Sequence, residues 1–104
     1  MVIAEPEESL LASRFTRHLP AQLRSRSGRV NPIRIVDLSI AGCLMERQAM
    51  ALGVGDSVLV RLPGLSYIRA EVVWVEEGIA ALSFEEVLHD AIFEHLQNAF
   101  VASD

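Results

Sequence analysis

Pro32-Ile33-Arg34-Ile35-Val36-Asp37-Leu38-Ser39-Ile40-Ala41-Gly42-Cys43 carries the reading on which the rest of the chain depends. It is rich in β-branched residues, and Ile33 and Ile35 alternate with Arg34, as a half-buried strand requires. Beyond that point Val36, Leu38 and Ile40 alternate with Asp37 and Ser39, so the apolar register slips by one at Ile35-Val36. A slip of one sends every later side chain to the other face, which predicts a bulge there or cover on both faces. Asp37 and Ser39 then share a face opposite Leu38. Gly42 permits a turn, and Cys43 to Glu46 reads as a short returning strand of the same hairpin.

Working outward, the pattern stays β until the C-terminal end. Ala21 to Arg29 is poor in apolar residues and reads as at best an edge strand ending at Ser27-Gly28. Asp56 to Leu62 places Val58, Val60 and Leu62 on one face. Tyr67 to Glu76 is the longest strand, with Ile68, Ala70, Val72 and Trp74 inward and Tyr67, Arg69 and Glu71 outward. Glu77-Gly78 is a turn, and Ile79 to Phe84 puts Ala80, Leu82 and Phe84 on one face. Leu88, Ile92, Leu96 and Ala99/Phe100 then recur at helical spacing, predicting a helix from about Leu88 to Ala102. Five or six short strands followed by one amphipathic helix describe an antiparallel β protein, with the helix placed to cap a barrel. Residues 1–13, with Glu5, Glu7 and Glu8 around Pro6, read as a flexible acidic tail, and 14–104 as one domain.

The net charge of −5 conceals an asymmetry. Between Ser9 and Val36 stand Arg14, Arg17, Arg24, Arg26, Arg29 and Arg34 and no acid, whereas elsewhere Arg47, Arg61 and Arg69 face all 14 acidic residues. Such a body repels a long nucleic acid but tolerates a small anion held locally. Arginine supplies every cation outside histidine, and its planar fork suits phosphate oxygens and the guanine O6/N7 edge. No apolar run approaches the length that spans a bilayer, so no membrane insertion is expected. The first residues lack the cationic start and long apolar run of a secretory signal, which makes a cytoplasmic protein the expectation.

Catalytic chemistry finds little material. His89 and His95 are six apart on the expected helix, off metal-ligand spacing, and no other His or Cys completes a site. Cys43 follows the turn on an apolar strand, where a buried small hydrophobe is expected. Ser39 has no nucleophile-elbow context, and no phosphate-binding glycine loop occurs. The expectation is a binding protein with no catalytic residue, metal or resident cofactor. For ligand recognition, the Asp37 carboxylate suits guanine N1–H and N2–H, and a turn hydroxyl and amides suit phosphate. The same residues also fit a polar strand end that satisfies its own turn.

With these residues in place, the chain resembles the PilZ domain family, a bacterial module that binds cyclic di-GMP. Asp37-Leu38-Ser39-Ile40-Ala41-Gly42 meets the family's D/N-x-S-x-x-G motif in full. Val54-Gly55-Asp56, Val72-Val73-Trp74, Gly78 and the strand ending in Phe84 follow in the family's order. The likeness covers about residues 14–97. The family's first motif, R-x-x-x-R or in longer form R-R-F-x-R, is matched in part by Arg14-Phe15-Thr16-Arg17. Ser13 falls on the first arginine of the longer form, and in the alternative register Arg14 pairs with His18.

The resemblance implies a six-stranded antiparallel β-barrel with a C-terminal α-helix. It further implies a cyclic di-GMP receptor in which an arm, Arg14 to His18, closes over the Asp37 to Gly42 turn and an unidentified protein partner reads the result. Arg17 would contact phosphate or guanine with Arg14 and His18 beside it, Asp37 and Ser39 would take the guanine edge next to Gly42, and Trp74 would lie near the ligand. The alternative is a degenerate member that serves as a protein-interaction adaptor without nucleotide.

Overall fold

The computed structural model describes residues 16–103; Ser13, Arg14 and the acidic tail lie outside them. Strands β1 (Arg17–Arg24), β2 (Val30–Leu38), β3 (Gly42–Glu46), β4 (Ser57–Arg61), β5 (Tyr67–Glu76) and β6 (Ile79–Phe84) precede one helix, α1 (Asp90–Gln97), and a short strand, β7 (Val101–Ala102). The hydrogen-bonded order is β2-β3-β6-β5-β4-β1, and β1 also pairs with β2, so six antiparallel strands close into a barrel. Closure leaves the six strands no free edge, which corrects the edge-strand expectation for Ala21 to Arg29. The strand starts earlier, at Arg17, and buries Leu19, Ala21 and Leu23. Polar residues at alternate positions had masked it: β1 is half-buried, with its polar side on the outer wall.

The barrel interior is a continuous apolar core that includes Leu19, Ile35, Met45, Val60, Val72, Leu82 and Phe84. Helix α1 closes one opening with Leu96, fully buried, and with Leu88 just before it. The helix is shorter than its apolar spacing suggested. His89 caps it, its Nδ1 accepting from the Ala91 amide at 3.2 Å. It ends at Gln97, and Val101–Ala102 become β7, paired with Arg17 and His18 of β1. The Glu77-Gly78 turn has φ of 50° and 82°, the left-handed pair that a two-residue hairpin needs to match strand twist.

Two bulges shape the wall that carries the candidate site. The β2–β3 register shifts between Ile35 and Asp37, as the sequence slip predicts. A second shift lies between Val72 and Trp74 on β5. It turns Trp74 outward, 39 % exposed with Val73 beside it at 43 %, and corrects the inward placement of Trp74. The extra residue reverses the alternation that Ile68, Ala70 and Val72 had set. Cross-strand pairing then aligns Asp37, Leu44, Ala81 and Trp74 in one row on the outside of β2, β3, β6 and β5. At strand spacings of about 4.8 Å the row spans roughly 14 Å.

Candidate functional site

The Asp37–Gly42 turn is a rigid platform. Ser39 Oγ accepts from the amides of Ala41 (3.2 Å) and Gly42 (3.1 Å), while the Ser39 amide donates to the Gly42 carbonyl at 2.9 Å. The hydroxyl hydrogen points to that same carbonyl at 3.3 Å, so the Ser39 side chain is used up by its own turn. Neighbouring segments hold the turn from outside. Phe84 donates its amide to the Ala41 carbonyl (2.8 Å), Leu88 to that of Ile40 (2.8 Å), and Gln97 Nε2 reaches the Leu38 carbonyl at 3.4 Å. Gly42 is fixed by space, not by φ: a Cβ there would run into the Leu82 carbonyl of β6.

Asp37 is the reactive face of this platform. It is exposed, and only Oδ1 is engaged, accepting from the Leu38 amide at 3.0 Å; among the described residues Oδ2 has no hydrogen bond. Its charge reaches the adjacent strand. Burial, reinforced by the negative charge of Asp37, pushes the Cys43 thiol up to about 12. Cys43 is 6 % exposed, so its thiol is a packed, protonated group of the core. A shallow groove of ≈ 340 Å³ runs beside the turn, lined by Asp37, Ser39, Gly42, Leu44, Ala81 and Ser83.

The cationic half is placed but engaged. Arg17 lies two residues beyond Leu19 and Asp37 two beyond Ile35, the last registered pair of β1 and β2, so both occupy one end of that pair. Arg17 Nη2 donates to the Phe100 carbonyl at 3.0 Å, and His18 Nδ1 meets Ser103 Oγ at 2.7 Å. The Ser103 amide donates to the Thr16 carbonyl at 2.7 Å, completing the β1–β7 junction. Arg17 and His18 therefore belong to a strand, paired with β7; Arg14 lies outside the described residues.

Sequence reasoning missed the C-terminal contribution. Gln97, Phe100 and Ser103 touch both halves of the site, and the only local signal was the loss of apolar spacing after Phe100. Trp74 stands at the far end of the outer row from Asp37. His89 and His95 are exposed. Among the described residues no group of three His, Cys, Asp or Glu could hold a metal, and no helix is long and apolar enough to cross a membrane.

The model of the PilZ domain family matches residues 11–101, nearly the whole chain, and the protein belongs to that family. No curated protein matches it. Among solved structures, one described as the PilZ domain of CeSA from a cellulose-synthesizing bacterium superposes with a TM-score of 0.55. The two share 17 % identity over 76 % of this chain and 87 % of the other, a likeness that speaks for the fold alone.

Proposed function

We propose that this domain is a cytoplasmic receptor for cyclic di-GMP, binding on the outer wall between the Arg17 end of β1 and the Asp37–Gly42 turn. The observation that carries the reading is the exposed Asp37 carboxylate, with one oxygen unbonded among the described residues, on a turn held by three neighbouring segments. A preorganised acceptor loses little on ordering when a guanine edge arrives. Asp37 takes the N1–H and N2–H of that edge, and Arg17 takes phosphate as a charge-assisted pair. Ser39 acts by shaping the turn, Gly42 by letting β6 and the ligand approach the main chain. Arg14 and His18 assist Arg17, and Trp74 flanks the same wall. Rearrangement of the Arg17–His18 junction is the signal that a protein partner reads.

Calorimetric titration with cyclic di-GMP tests this directly. Saturable heat is expected, together with a melting shift equivalent to about 2.7 kcal/mol at 100 times Kd. Absence of heat and of any shift at high micromolar ligand overturns the receptor reading.

One observation favours a second reading, an adaptor that binds protein without nucleotide. Arg17 already has an acceptor in Phe100, and Val73 and Trp74 are exposed on the same wall. An adaptor shows no calorimetric response to cyclic di-GMP, so the same titration separates the two.

A further inference from the structure

A second groove lies around the wall from Asp37, with ≈ 540 Å³ of space between the β1–β2 hairpin and the outside of β4, β5 and β6. Arg24 and Arg26 enter it from the hairpin and Arg69 from β5. Cross-strand pairing sets Arg24, Leu59 and Arg69 in one row. Arg24 and Arg69 thus stand two strand spacings apart, about 10 Å, with only Leu59 between them. Arg26 sits on a fixed tip: the Gly28 amide donates to the Ser25 carbonyl at 2.8 Å, the Ser25 amide to that of Arg29 at 2.9 Å, and Gly28 takes the left-handed conformation the turn needs, φ 91°.

The three guanidiniums donate no hydrogen bond to protein among the described residues, where Arg17 and Arg61 are the arginines that do. Like charges converging on one concavity repel, and a doubly charged oxyanion offers each fork a bidentate partner. The hydroxyls of Ser25, Ser57 and Ser83 line the groove, as do the carboxylates of Glu71 and Glu85. Those carboxylates disfavour a bare polyanion and suit a ligand that carries donor groups next to its phosphate. None of the three arginines falls on a family motif position.

We propose that this groove is a phosphomonoester site, distinct from the Asp37 turn, in which Arg24, Arg26 and Arg69 hold the phosphate while Glu71 and Glu85 accept from hydroxyl or amino groups of the same small metabolite. It does not rest on cyclic di-GMP binding at the turn.

The test is a ¹⁵N-resolved titration of the whole chain with inorganic phosphate and with a ribonucleoside monophosphate, against chloride at matched ionic strength. Saturable shifts are expected at Arg26, Ser57, Leu59 and Arg69, with Asp37 to Ala41 unmoved, and the nucleoside monophosphate should bind at least tenfold tighter than phosphate. The Arg24→Gln/Arg69→Gln variant, altered only at exposed positions, should retain the spectrum of the folded barrel and lose at least tenfold in affinity. Arg17→Ala should leave this binding intact while weakening any response to cyclic di-GMP at least tenfold. The site is overturned by a response that chloride reproduces, by absence of saturable shifts at millimolar ligand, or by full affinity in the double variant. Equal affinity for phosphate and nucleoside monophosphate overturns the metabolite assignment.

Discussion

Arg17 Nη2 donates to the carbonyl of Phe100 at 3.0 Å, tying the cation of the proposed site to the segment that follows the helix. The contact is exposed, and a phosphate is a better acceptor than a neutral carbonyl, so exchange of one for the other is favourable in principle. Arg17→Ala should weaken cyclic di-GMP binding by about 1.5–3 kcal/mol, the range of a charge-assisted hydrogen bond, with little effect on stability. Calorimetry on the variant measures the first and urea unfolding the second.

Ending the chain after Phe100 removes β7 and the Ser103 bonds to Thr16 and His18. With the new terminus amidated, so that Phe100 keeps a neutral carbonyl, that carbonyl is no longer held by the β1–β7 pairing and Arg17 has less to give up. Affinity for cyclic di-GMP should rise about threefold to tenfold while stability falls by about 1 kcal/mol. Unchanged or weaker binding in the shortened chain would show that β7 supports the arm and does not restrain it.

Within the turn, Asp37 and Ser39 should separate by what they lose. Asp37→Ala removes an exposed carboxylate and should abolish detectable binding, at a stability change within about 0.5 kcal/mol. Ser39→Ala removes the acceptor of the exposed Ala41 amide and the part-buried Gly42 amide and should cost about 0.5–1.5 kcal/mol of stability. Paired denaturation and binding curves for the two variants check the contrast.

Gly42→Ala places a methyl group against the Leu82 carbonyl of β6, where neither backbone can retreat without breaking the β3–β6 ladder. A loss of about 2–4 kcal/mol is expected, read as a lower urea midpoint at unchanged slope.

The Cys43 thiol gives the alkaline limb of stability a defined sign. Its ordinary value of 9.0 rises to about 12 in the folded barrel, because burial and then the Asp37 charge oppose the thiolate. The folded state therefore holds the proton that the unfolded chain releases. The contribution is intact below pH 9.0 and is lost as pH rises toward about 12, with a slope approaching about 1.4 kcal/mol per pH unit. Cys43→Ala should flatten that slope, and a thiol reagent at pH 8 should label Cys43 only after unfolding.

Much of this architecture is legible in the chain itself. Alternation in Pro32 to Ile40, Asp56 to Leu62 and Ile79 to Phe84 fixes which side chains enter the barrel, because a strand's faces repeat every two residues whatever it pairs with. The slip at Ile35-Val36 marks the first bulge for the same reason, and Asp37 to Gly42 identifies the turn and the family. The bulge before Trp74 left no such mark. Val72-Val73-Trp74-Val75 is apolar at every position, so its phase is set by β6, whose Ala81 pairs with Trp74. Whether the Ser39 hydroxyl faces a ligand or its own turn was equally open, since both need the same residue. Packing of Phe84, Leu88 and Gln97 around the turn decided for the latter. The engagement of Arg17 by Phe100 joins residues 83 positions apart, and only closure of the barrel and its cap brings them together. Local periodicity determined the strands and the turn; partners contributed from distant strands decided which of their polar groups remain free to bind.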